Sequence, residues 1–72
     1  MMIIKIKTEY IKLDQLLKYA NVVESGANAK EYILNGQVLV NNEIETKRGK
    51  KLYKGDIVTF EGEKIIIDLE NE

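Results

Sequence analysis

The sequence predicts an α/β protein of the α+β kind, with two short helices packed on a small, mostly antiparallel sheet. Three observations carry that expectation. Residues Met2 to Thr8 alternate apolar and polar. Leu13, Leu16, Leu17 and Ala20, and then Ala29, Tyr32, Ile33 and Gly36, recur at helical spacing. From Val38 onward the period returns to two, interrupted by turn residues. Seventy-two residues make one core, and a domain of this size buries only about 60% of its unfolded surface, so each packing contact counts.

The first strand places Met2, Ile4 and Ile6 on one face and Ile3, Lys5 and Lys7 on the other. In the first helix Asp14 complements the dipole near the start and Lys18 near the end, while Lys12, Gln15, Lys18 and Tyr19 face outward or sideways. Asn21 to Glu24 connects to the second helix, for which Ser25 is the N-cap candidate and Asn35-Gly36 the stop. The chain is organised around this stretch, Ser25 to Asn41, where a helix ends on a glycine and turns at once into a strand with Val38 and Val40 inward. Asn41-Asn42 reads as a two-residue hairpin turn, because Asn accepts positive φ. Ile44 is expected to return inward between solvent-facing Glu43 and Glu45. Gly49 allows a bend, Leu52 re-enters the core, and Lys54-Gly55-Asp56 is a turn signal. Val58 and Phe60 point inward, Gly62 marks another turn, and Ile65, Ile67 and Leu69 line a last strand suited to pair with the first. Tyr32 is expected in the core, and Glu70-Asn71-Glu72 is expected to fray.

The net charge of −1 argues by itself against a nucleic-acid partner, but the layout is uneven. Lys47 to Phe60 carries +4 (Lys47, Arg48, Lys50, Lys51 and Lys54 against Asp56), and Glu61 to Glu72 carries −4 (five carboxylates against Lys64). The local field at the basic segment therefore matters more than the total.

Composition excludes much chemistry. The chain has no Cys and no His, so disulfides, N/S metal sites and the usual nucleophile–base pairs are absent. Gly49-Lys50 matches a phosphate-binding loop at neither end, since Ile44 and Lys51 stand where Gly and Ser or Thr are needed. Glu43 and Glu45 share a strand face as paired carboxylates would, but a solvated face that keeps the hairpin soluble is the better account of them. The expectation is no enzyme, no cofactor, no metal and no small-molecule substrate. Lys5 and Lys7 interrupt the apolar start too early for a signal peptide or membrane span, so a soluble cytoplasmic monomer is expected.

A run of Lys and Arg is often only a hydrated loop. Here four cations occupy five positions, Lys47 to Lys51, around a glycine. Lys12, Lys18 and Lys30 come from the helical part, and Ser25, Asn41 and Asn42 add neutral donors at helix ends and turns, where phosphate oxygens are commonly held.

The segment from Ile11 to Val58 resembles the S4-like RNA-binding domain, the αL motif. The resemblance rests on Lys12-Leu13-Asp14, Ser25, Ala29 with Tyr32-Ile33, Gly36 to Asn41, and Leu52 to Val58. It covers about two-thirds of the chain, in order; the motif core is 11–60 within a single domain of 1–72. Small size and the Thr46 to Leu52 segment are similar to the stand-alone YaaA-type proteins of bacteria. The resemblance implies structured RNA as ligand, ribosomal RNA or a ribosomal subunit above all, with Lys12, Ser25, Lys30 and the Asn41-Asn42 turn on the RNA-facing surface. There are departures: Gly26 stands where many members have Arg, Asn42 replaces the usual turn glycine, and Lys12 replaces Arg, losing bidentate geometry. The expected RNA-binding set is Lys12, Lys18, Ser25, Lys30, Asn41, Asn42, Lys47, Arg48, Lys50 and Lys51. Two other readings stay open at this point: a protein-interaction module using the acidic C-terminal strand or a sheet edge, and a single-stranded DNA binder with the same electrostatics.

Overall fold

The computed structural model describes residues 1–70. In chain order it contains β1 (Met2–Ile6), β2 (Ile11–Lys12), α1 (Leu13–Tyr19), α2 (Gly26–Leu34), β3 (Val38–Val40), β4 (Glu43–Ile44), β5 (Lys51–Leu52), β6 (Ile57–Phe60) and β7 (Glu63–Leu69). Five strands form one sheet in the order β1-β7-β6-β3-β4, and β2 and β5 pair separately as a two-stranded ribbon. Only β1 and β7 run parallel; the other pairs are antiparallel. The helices cover one face of the sheet, as the periodicity predicts.

The core is the meeting of that face with the helix pair. Leu13, Leu16, Leu17, Ala29 and Ile33 from the helices are buried against Ile6, Val38, Val40, Val58, Phe60, Ile65 and Ile67 from the strands. Tyr32 is half-buried at the margin and packs edge-on against Phe60, with ring centroids 4.9 Å apart. Val23, in the connector between the helices, is also buried. It seats the connector against the core, because neither helix is long enough to be stable alone.

Helix boundaries follow their local chemistry. Ser25 is extended and its Oγ accepts a hydrogen bond from the Asn28 N–H at 3.2 Å, capping α2. At the other end Gly36 has φ +75°. Its N–H donates to the Ile33 carbonyl and that of Gln37 to the Tyr32 carbonyl, the paired bonds of a Schellman ending. This ending turns α2 straight into β3.

Two tight turns set the register of the main sheet. Asn41 and Asn42 both have positive φ (51° and 69°), as do Glu61 and Gly62 (51° and 79°). This is the backbone of hairpin turns that match strand twist. The first turn places Glu43 opposite Val40 and Ile44 opposite Leu39. Ile44 therefore points away from the core and is 65% exposed, contrary to the inward expectation. Pairing register, rather than hydrophobicity, decides its face. Glu45, expected in solvent, is half-buried. On that outer face the cross-strand registers also align Ile3, Ile66 and Ile57.

At the C-terminal end, the Glu70 N–H donates to the Ile6 carbonyl at 2.8 Å, and the Glu70 carboxylate lies 4.0 Å from the Lys7 ammonium. Glu70 thus continues the β1–β7 ladder instead of fraying; Asn71 and Glu72 lie outside the described residues.

Glu61 is the costliest of the left-handed positions, since a long side chain there gains nothing to offset the steric penalty. Glu61→Asn should raise unfolding stability by about 0.5–1 kcal/mol in urea titrations followed by circular dichroism. Unchanged or reduced stability would refute the turn assignment.

Candidate nucleic-acid interface

Strand β2 runs into α1 without a break, and Lys12 is the N-cap residue, extended and without a side-chain cap. The first turn of α1 is instead closed by the basic segment. The Leu13 N–H donates to the Lys50 carbonyl at 2.9 Å and the Asp14 N–H to the Arg48 carbonyl at 3.0 Å. The third N–H, of Gln15, donates to Asp14 Oδ1 at 2.8 Å. Main-chain oxygens from far along the sequence thus satisfy orphan donors that a local Ser or Asp would ordinarily cap.

The basic segment is itself a turn, closed by the Lys50 N–H on the Lys47 carbonyl at 3.1 Å and tied at its start by the Lys47 N–H on Glu45 Oε2 at 3.1 Å. Buried Leu52 anchors its end. The segment is therefore a docked turn, with the bend that Gly49 allows. Register completes the arrangement: Lys12 lies opposite Lys51 and Ile11 opposite Leu52. Lys12, Lys47, Arg48, Lys50 and Lys51 are thereby drawn to one end of α1.

Electrostatically this is unfavourable for the free protein. Like charges directly opposite in a ribbon repel, and cations near a helix N-terminus oppose its dipole by about 0.3–1 kcal/mol each. Among the described residues the ion pairs within 4.0 Å are Met1 amine–Glu63 and Lys7–Glu70. Neither involves the five clustered cations. An anion bound there would relieve the repulsion.

Beside this cluster lies an open hollow lined by Val40, Asn41, Glu43, Glu45, Lys50, Lys51, Tyr53 and Asp56, among others. Its carboxylates are partly committed. Asp56 accepts from Asn41 Nδ2 at 3.2 Å and from the Tyr53 N–H at 2.8 Å, and Glu45 accepts from Lys47 as described.

A family model described as the S4 domain matches residues 4–68. The chain belongs to the S4 domain family. It is 51% identical over 59 residues to the "Probable ribosome maturation protein RlbA" of Bacillus subtilis (strain 168), covering 82% of this chain and 83% of that protein. It is 39% identical over 59 residues to YbcJ of Escherichia coli (strain K12), covering 82% and 84%. The solution structure of Escherichia coli YbcJ, described as revealing an αL motif involved in RNA-binding, superposes with a TM-score of 0.67 at 34% identity. It covers 93% of this chain and 84% of that one.

The remaining candidates of this S4 domain separate. Lys18 continues from Lys12 through Gln15 along the exposed side of α1, beside a shallow hollow lined by Ile11, Gln15, Lys18 and Tyr19. Lys30 is exposed on α2, and no described hydrogen bond, ion pair or hollow joins it to the basic turn. Ser25 is occupied as a helix cap, its hydroxyl also donating to Asn28 Oδ1. Asn42 is exposed at the β3–β4 turn. Asn41 is spent internally: besides its bond to Asp56, its Oδ1 accepts from the Ile57 N–H at 3.0 Å.

The structure also places two aromatics that sequence reasoning left unplaced. Continuing the β2–β5 register sets Tyr10 across from Tyr53, with ring centroids 5.9 Å apart. The Lys51 ammonium sits 4.9 Å from the Tyr10 ring centre. The only advance signal was one tyrosine flanking each side of the Ile11-Lys12 and Lys51-Leu52 pairs.

Because Asn41 holds the hairpin against β6, its substitution should act on stability. Asn41→Ala should cost about 2 kcal/mol, and Asn41→Gly, which keeps the positive φ, about 1 kcal/mol, both measured by urea denaturation. Equal costs would show that backbone strain contributes nothing at this turn.

Proposed function

We propose that this S4 domain is a non-catalytic, cytoplasmic RNA-binding protein whose ligand is structured RNA, ribosomal RNA or a ribosomal subunit above all. The carrying observation is the docking of the Lys47–Lys51 turn on the start of α1, which gathers five cations that take part in no ion pair among the described residues. The docked main chain of the turn loses little backbone freedom on meeting a phosphate backbone, so more of the attraction survives as binding. The names carried by its relatives support RNA over DNA or a protein partner, and the ribosome over other RNAs. The absence of His and Cys from the sequence supports a binding role rather than catalysis.

In this reading Lys12, Lys47, Arg48, Lys50 and Lys51 supply the attraction, and Lys18 extends it along α1. Ser25 and Asn41 keep the start of α2 and the hairpin turn in shape. Lys30 and Asn42 make peripheral contacts that orient the RNA.

If about five phosphates are contacted, log affinity should fall against log salt with a slope of about −3.5 to −4.5, depending on strandedness. Replacing Lys50 and Lys51 together by Ala should weaken binding across RNA sequences and flatten that slope by about 1.4 to 1.8. The measurement is fluorescence anisotropy over a KCl series, alongside co-sedimentation with ribosomal subunits before and after nuclease treatment. Nuclease-resistant co-sedimentation with an unchanged salt slope would overturn the assignment in favour of a protein contact.

A further inference from the structure

We infer that Tyr53, backed by Tyr10, is a stacking site for one unpaired RNA base, so the RNA bound beside the basic turn carries a bulged, looped or terminal nucleotide there. The inference rests on the RNA-binding reading above and adds what that RNA must present.

Four observations converge. First, Tyr53 is 44% exposed, although aromatic rings usually bury most of their area in a small domain. Second, it is held in place. Its N–H donates to Asp56 Oδ2 at 2.8 Å, and its carbonyl accepts from the Asp56 N–H at 3.0 Å across the turn containing Gly55. Third, half-buried Tyr10 supports it from the neighbouring strand, tilted by 50°. Tyr10 is in turn fixed by the Lys51 ammonium over its ring, a contact of about 0.5–1 kcal/mol at an exposed site. Fourth, Tyr53 lines the same hollow as Lys50 and Lys51. A nucleotide whose phosphate meets those cations has its base within reach of the ring.

Base-on-aromatic stacking beside a cationic track is how unstacked nucleotides are held, and it tolerates any base because each has a π-face. A continuous duplex offers no free face, so a ring exposed beside the phosphate contacts gains nothing from paired RNA. Tyr53 thus supplies discrimination that the cations cannot, since phosphates are alike along any helix.

The test uses the full chain and two hairpin RNAs closed by the same non-nucleotide linker, so that neither has a loop of unpaired bases, one fully paired and one carrying a single bulged 2-aminopurine. Wild-type protein should bind the bulged hairpin more tightly and quench its fluorescence. Tyr53→Leu should weaken that complex about tenfold and abolish the quenching, while leaving the paired hairpin's affinity and salt slope unchanged. Tyr53→Phe, which keeps the ring, should behave as wild type, and circular dichroism melting should show all three proteins equally folded. Equal wild-type affinity for both hairpins, or a Tyr53→Leu variant that still quenches, would overturn the stacking site and leave the phosphate-binding reading standing. Salt-insensitive or absent binding to both hairpins would remove the RNA reading and the stacking site with it.

Discussion

Two main-chain hydrogen bonds, from Leu13 and Asp14 to the carbonyls of Lys50 and Arg48, hold this molecule's design together. A helix of seven residues is too short to persist alone in water, and this one lacks a side-chain cap. It begins where it does because a distant turn supplies the acceptors. The same bonds fix that turn, so the stability of α1 and the geometry of the basic surface are one problem. Losing the dock would fray the helix and scatter the cations together.

This coupling explains how a slightly acidic protein can present a positive surface. The acidic residues are numerous, but among the described residues the ion pairs within 4.0 Å are those of the terminal amine with Glu63 and of Lys7 with Glu70. Asp56 and Glu45, two of the carboxylates beside the basic turn, spend oxygens on backbone N–H groups and on Asn41. Among the described residues no ion pair within 4.0 Å compensates the five cations, at a cost in folded-state repulsion that the free protein bears. Such concentration of unrelieved charge is a feature of binding surfaces more than of scaffolds.

The parts legible in sequence were those governed by short-range periodicity and by residue-specific backbone preference. Leu13, Leu16, Leu17 and Ala20 announced their buried face through spacing alone. Ser25 and Gly36 announced the two ends of α2, because hydroxyl capping and left-handed φ are properties of those residues wherever they stand. Ile44 was misread because its hydrophobicity was weighed above its register. A two-residue turn at Asn41-Asn42 obliges Ile44 to share a face with Leu39, whatever its polarity. Strands β2 and β5 passed unseen because two residues hold no period.

Charge pattern, turn chemistry and family membership were therefore in the sequence, since each depends on residues close together or on residue types in a fixed order. The convergence of Lys12 with Lys51, the pairing of Tyr10 with Tyr53, and the diversion of Asn41 to structural duty were decided only by tertiary structure. Each depends on which distant backbone groups satisfy one another once water is excluded. No local pattern encodes that choice; it emerges from the whole set of hydrogen bonds closing at once.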